Sequence, residues 1–324
     1  MRRHCSSPFS PRPLISDCSS QERRGRLELT WIPEEFGFPR PRGAEDRGRV
    51  MNLIFYHMAG VLYVLGTASH LSYIISLRDL LCRAGAGLLS VGFACHTTAL
   101  VFRYYEAGYL PITNLYESLS FYAWTIVLVY LVAHYRYGIR VLGAFVAPVA
   151  LIMVMISMAL PKGILPLPPA LRSYWLPIHV VFAFLGDAVF ALAFCAGVMY
   201  LVQEKQIKSK KASGLLKRLP SLEVLDQLNH RALTIGFPLL TVGIVTGSVW
   251  ASYAWGSYWS WDPKETWSLI TWFLYAALLH QRLAIGWRGR KAAWMAIIGF
   301  LAVLFTFLGV NLVLSGLHSY SQWR

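Results

Sequence analysis

Three stretches of this chain, 141–160, 176–202 and 292–315, run for twenty residues or more with a single charge among them, Asp187. A surface helix would alternate polar and apolar faces, and a buried strand would end after a few residues. About twenty apolar residues at 1.5 Å rise cross the hydrocarbon core of a bilayer. Composition agrees: 56% of the residues are hydrophobic and 14% charged, against about a quarter charged in soluble domains. The expected fold is an all-α polytopic membrane protein.

Apolar runs set against charged breaks give eight candidate transmembrane helices, at about 53–77, 84–105, 116–135, 140–160, 175–203, 231–251, 266–285 and 292–315. The loops sort by charge. Arg78 and Arg83, Arg136 and Arg140, the Lys205–Arg218 group, and the Arg282–Lys291 group all fall on one side. Positive loops stay cytoplasmic, which places both ends of the eight-span unit outside, in the plasma (inner) membrane. The net charge of +14 is explained by these loops and a basic leader, and gives no reason to expect nucleic acid. The stretch 219–230, LPSLEVLDQLNH, reads as a short amphipathic helix at the inner interface.

Residues 1–50 differ from the rest. They are rich in Arg, Pro and Ser with no apolar run, so they lack the core of a secretory signal and resemble a disordered segment. A basic leader ahead of the first span would have to be translocated. The chain therefore divides into a leader or mis-assigned start, 1–50, and an eight-span domain, 51–324, with Met51 as a plausible first residue. The five cysteines form no C-x-x-C and no C-x-x-C-H, which excludes a dithiol carrier and a c-type cytochrome. No Cys/His spacing suits structural zinc.

Chemistry must then sit in the bundle or on its rim, and the segment 250–267, WASYAWGSYWSWDPKETW, is the candidate. It holds Trp250, Trp255, Trp259, Trp261 and Trp267 within eighteen positions. One reading is an interfacial aromatic belt followed by a capping box, Asp262 as N-cap, Pro263 at N1 and Glu265 at N3. The other notes that a belt scatters one or two rings per helix, whereas a Gly/Ser-containing loop can lay several over one flat apolar object. Porphyrin is such an object, and its iron needs axial ligands, most often His.

Two histidines are placed for that. His179 opens the fifth span and His318 follows the eighth, both on the same face as the Trp loop. His280 lies about 25 Å along the seventh span from Pro263, near the inner interface, where it is either an interfacial residue or a ligand for a second haem position whose opposite ligand another chain supplies. His57, His70 and His96 read as helix-packing hydrogen bonders, and His134 and His230 as interfacial. Asp187 is costly in lipid and should have a partner or line a wet cavity. Met153, Met155 and Met158 read as packing.

WGSYWSWDPKETW resembles the tryptophan-rich WWD signature of the haem-handling proteins of cytochrome c maturation. PITNLYESLSFYAW (111–124), LPSLEVLDQLNHRA (219–232) and GVNLVLSGLHSY (309–320) are similar to the CcsA/ResC family of system II. The likeness runs from about Met51 to the C-terminus. It implies haem transport outward and attachment of haem b to the C-x-x-C-H thiols of apocytochrome c. It also implies a CcsB/ResB-type membrane partner, with thiol-reducing thioredoxin-like proteins in support. His179 and His318 would be the axial ligands at an external platform of Trp255, Trp259, Trp261 and Asp262, and His280 the intramembrane ligand. Asp187 and the leader inherit no role. The alternatives are a haem exporter or chaperone without ligation, and a b-type electron-transfer subunit. The last would need paired histidines at both membrane depths, and no clear inner pair is present.

Overall fold

Inside a bilayer each backbone N–H and C=O must find its partner within its own segment, so apolar runs of this length become helices. The computed structural model describes residues 42–76, 78–164, 166–209 and 219–314, with side chains from Gly48 onward. The expectations for residues 1–41, for the basic residues at 210–218 and for His318 lie outside the described residues.

A helix forms at each of the eight expected places: α1 (Arg42–Ser76), α2 (Asp79–Ala107), α3 (Leu115–Tyr137), α4 (Leu142–Met158), α5 (Trp175–Lys208), α6 (Leu222–Trp255), α7 (Pro263–His280) and α8 (Arg290–Leu304). A π turn, Phe305–Gly309, carries α8 on to Val313, and another, Gln281–Ile285, extends α7. Six of the eight are long and apolar enough to cross a membrane. The 17 residues of α4 are short for the task, and α7 is diluted by Lys264, Glu265, Thr266, Ser268 and Thr271. The protein is a multi-pass helical membrane protein.

α5 runs through the bundle against α6, and glycines let the two backbones approach. A Cβ added at Gly186 would stand 3.0 Å from Leu240 N, and one at Gly243 3.0 Å from Ala183 N. Small residues at such a crossing are how membrane helices gain close packing without a hydrophobic drive. The buried histidines serve the same packing. His96 shares hydrogen bonds with Ser120 Oγ (2.9 Å) and Tyr63 OH (3.3 Å), and His70 with Tyr130 OH (2.9 Å). Met153 is buried and Met158 packs beside Gly60, while Met155 is exposed.

At the end that carries the Trp loop, a buried ion pair ties three segments together. Arg103 on α2 donates to Glu117 Oε1 on α3 from Nε (3.0 Å) and Nη2 (2.9 Å), and to the carbonyls of Lys162 and Gly163 (both 3.0 Å). Glu117 Oε2 in turn accepts from Thr113 N and Oγ1, while Asn114 caps α3 by accepting from Glu117 N. The 111–124 motif is thus a helix start fused to an ion-pair anchor.

At the opposite end the expected short helix at 219–230 is absent. These residues begin the continuous 34-residue α6, capped by Ser221, with Leu225 and Leu228 buried. The apolar side of the amphipathic pattern packs against the bundle through Leu225 and Leu228. Asp226 takes Arg282 through both carboxylate oxygens (3.0 and 2.5 Å) and also accepts from Gly289 N (2.8 Å). Asp226→Ala is therefore expected to lower stability by about 3 kcal/mol, read as the thermal unfolding of the detergent-solubilised chain. An unchanged midpoint would show that this clamp is dispensable.

Candidate functional site

The Trp loop is built by its own polar atoms. α6 ends at Trp255, where Gly256 takes a left-handed φ of 77° that a side chain would strain. Ser248 Oγ reaches from the last turns of α6 to donate to Tyr258 O at 2.8 Å. Glu265 then gathers the loop. Its Oε2 accepts from Ser260 N (2.8 Å), Ser260 Oγ (3.1 Å) and Asp262 N (3.2 Å). The two backbone N–H groups flanking Trp261 converge on that one oxygen, so Trp261 is held at φ 59°, a left-handed conformation that costs a non-glycine residue about 1–2 kcal/mol. Its ring is left largely exposed. Asp262 completes the capping box read from the sequence, accepting from Lys264 N at 3.1 Å.

The rings do not form the single sheet that their density suggested. Trp250 is buried and donates Nε1–H to Ala170 O (3.1 Å), fastening the 161–174 loop to α6. Trp255 meets it edge-on, 67° apart with centroids at 4.7 Å. Trp259 and Trp261 form a second edge-to-face pair, 88° apart at 5.9 Å. Quadrupoles favour that arrangement over coplanar stacking when rings meet one another directly.

Beneath the loop, α5, α6, α7 and α8, with Ile112 and Ser118 at the start of α3, line a cavity of about 150 Å³ that opens to the surface. His179 stands in its wall, with its ring nearly parallel to that of Trp250 (11°, centroids 6.2 Å apart). Its Nδ1 lies 2.7 Å from Gly243 O. A carbonyl only accepts, so Nδ1 carries the proton and the lone pair is on Nε2, the tautomer of a metal-binding imidazole whose orientation a backbone partner fixes. Gly247 makes room for the ring, since a Cβ there would stand 2.6 Å from Nδ1. Trp259, Asp187 and Lys264 also line the cavity, so the Asp187 carboxylate borders a space that opens to the surface. Lys264 sits in the first turn of α7, ahead of the apolar stretch. Burial pulls its ammonium down to about 8, with the Asp262 and Asp187 carboxylates opposing the fall.

The profile of the family described as "Cytochrome C assembly protein" matches residues 112–318. The chain belongs to the cytochrome c assembly family. Every residue that lines the cavity falls within the matched segment. Among curated relatives, the chain is similar to "Cytochrome c biogenesis protein CcsA" of Guillardia theta, 40% identical over 255 residues that cover 72% of this chain and 85% of the relative. The protein of the same description from Synechococcus elongatus is 39% identical over 281 residues, covering 73% and 86%. That from Chlamydomonas reinhardtii is 43% identical over 230 residues, covering 68% of this chain and 64% of the relative. Among solved structures, "Cytochrome c Heme Lyase CcmF" superposes with a TM-score of 0.62 at 19% identity, over 85% of this chain. The chain spans 48% of the length of that protein, and the likeness concerns the fold.

The residues singled out for haem are distributed unevenly. His179 and Trp259 line one cavity, and Trp255 packs beside it against Trp250. Asp262 is buried in its cap and Trp261 turns outward. His280 is exposed at the far end of α7. The sequence reading missed Gly243, Gly247 and Lys264. The two glycines stand four residues apart on α6, against Ala183 and His179 of α5, a signal of close helix approach. Lys264 was hidden inside the capping box, where it reads as an ordinary N2 residue.

Proposed function

We propose that this chain carries haem b to the Trp-loop end, which faces outside the cytoplasm, and presents it there for attachment to the C-x-x-C-H box of apocytochrome c. It works as a subunit of a haem lyase with a CcsB/ResB-type membrane partner, in the manner of system II, and thioredoxin-like proteins keep the substrate thiols reduced. The observation that carries this reading is His179, whose Nδ1–H is held by Gly243 O at the wall of an open cavity that Trp259 also lines. Membership of the family and the small number of basic residues at this end of the bundle, against the many in the opposite loops, support it.

His179 is one axial ligand and His318 the other. His280, exposed at the other end of the bundle, suits a ligand shared with the partner subunit. The chemistry asked of the site is positional. Each cysteine adds its S–H across a vinyl C=C, sulfur to one carbon and hydrogen to the other, with no oxidant consumed. Holding a vinyl edge near a thiol supplies most of what such an addition needs. Two imidazoles guard the reduced iron until the histidine of C-x-x-C-H displaces one.

His179→Ala is expected to cut holocytochrome formation at least about tenfold when chain and partner are expressed with a C-x-x-C-H reporter in cells lacking other maturation systems. Added imidazole should restore part of it. Normal maturation without imidazole would refute the assignment, and a chain–partner pair that exports haem yet attaches none would favour the chaperone reading.

A further inference from the structure

A basic patch stands at the end of the bundle opposite the Trp loop. The π turn that extends α7 leaves Leu283 and Ile285 69% and 63% exposed, and Trp287 follows them, half-buried. Exposed aliphatic side chains on a membrane-spanning element face acyl chains, and a tryptophan just beyond them marks the headgroup level. Arg288, Arg290 and Lys291 come next, all exposed, at the depth where lipid phosphates lie.

The backbone beneath these cations is fixed. Gly289 donates its N–H to Asp226 Oδ1 (2.8 Å), and a Cβ on Gly289 would stand 2.6 Å from Tyr200 OH. The start of α8 is thereby held against the C-terminal end of α5, where Lys205 and Lys208 are also exposed. Lys291 Nζ lies 5.2 Å from the centroid of the Trp287 ring, a cation–π contact that ties the charge to the interfacial indole.

The carboxylates beside the patch are already engaged. Glu204 stands 2.7 Å from Lys208 and 3.9 Å from Arg290, and Asp226 is taken by Arg282 and Gly289 N. Among the described residues, Lys205, Arg288 and Lys291 have no ion pair. Neither 205–218 nor 283–324 contains an acidic residue.

We propose that Arg288, Arg290 and Lys291 form a binding site for the phosphate of an anionic phospholipid, whose acyl chains lie against Leu283 and Ile285. A zwitterionic lipid brings the same chains and phosphate with a compensating ammonium, so net charge is what the site selects. Free phosphate brings no chains to cover the aliphatic side, which makes lipid the source of the anion. The site is independent of haem binding.

The test is native mass spectrometry of the purified full chain in detergent, titrated with dioleoyl phosphatidylglycerol or dioleoyl phosphatidylcholine, which share their acyl chains. The first phosphatidylglycerol should bind at least about tenfold more tightly, since each basic residue near a lipid surface contributes severalfold. Arg288→Gln, Arg290→Gln and Lys291→Gln together should reduce that preference to about twofold or less. Arg78→Gln, Arg83→Gln and Arg136→Gln remove as much charge from other loops at the same end, and should leave it in place. Inorganic phosphate at the same concentration should not displace the lipid. Equal binding of the two lipids by the wild type, which needs no substitution to measure, would overturn the proposal. So would an equal loss in the Arg78, Arg83 and Arg136 variant, the mark of diffuse attraction, or displacement by inorganic phosphate, the mark of a free-anion site.

Discussion

Glu117→Ala is expected to destabilise the protein by about 3–5 kcal/mol, the range for breaking a buried pair from one side. Arg103 and Glu117 are 2% and 1% exposed. Removing the carboxylate leaves a guanidinium in the bundle with no countercharge, beyond the more distant Glu106 at 4.0 Å. It also takes the acceptor from Thr113 N and Oγ1. Because Arg103 in turn holds Lys162 O and Gly163 O, the damage should spread to both loops at the Trp-loop end. Thermal unfolding of the solubilised chain measures it. The contrasting pair is Arg140–Asp79, at 2.7 Å but with side chains 57% and 52% exposed, where Asp79→Ala should change stability by at most about 1 kcal/mol. Equal losses at the two sites would mean that burial does not set the strength of these pairs.

The second large effect falls on function. At Gly247 the Cβ of a valine would stand 2.6 Å from His179 Nδ1 and 2.7 Å from Cε1. The imidazole must swing away, and its bond to Gly243 O is lost. Overpacking of this kind costs about 1–3 kcal/mol in stability, yet the loss of an orienting partner typically weakens metal binding about 10–100-fold. Gly247→Val should therefore still accumulate while its affinity for haem, by Soret titration, falls by that factor. A variant that binds haem as tightly as the wild type would show that the orientation of His179 is immaterial.

Much of the architecture was legible in one dimension, because membrane helices are specified by long apolar runs and by charged breaks that need no knowledge of neighbours. All eight helices stand where apolarity placed them, and the capping box at Asp262 is present with both of its hydrogen bonds. His70 and His96 are packing residues, as their positions inside spans suggested. The failures share a cause. Residues 219–230 were read as an interfacial helix because their amphipathic pattern is the same whether the apolar face meets lipid or protein. The tryptophans were read as one sheet because density along the chain carries no ring orientation, which edge-to-face pairing and the Trp250–Ala170 bond settle instead.

Residue order was enough to establish an all-helical membrane protein and to single out the Trp-rich loop at one rim, since hydropathy, charge breaks and capping are properties of short segments. Which groups share a cavity depended on the folded bundle. Lys264 and Asp187 are 77 positions apart, and they face the same space because α5 and α7 both border it. The tautomer of His179 was likewise beyond reach of the sequence, because it depends on a carbonyl of α6 brought within 2.7 Å by glycine packing. Hydrogen bonds and close charges act over a few ångströms, and such distances exist between separate helices only after the helices have packed.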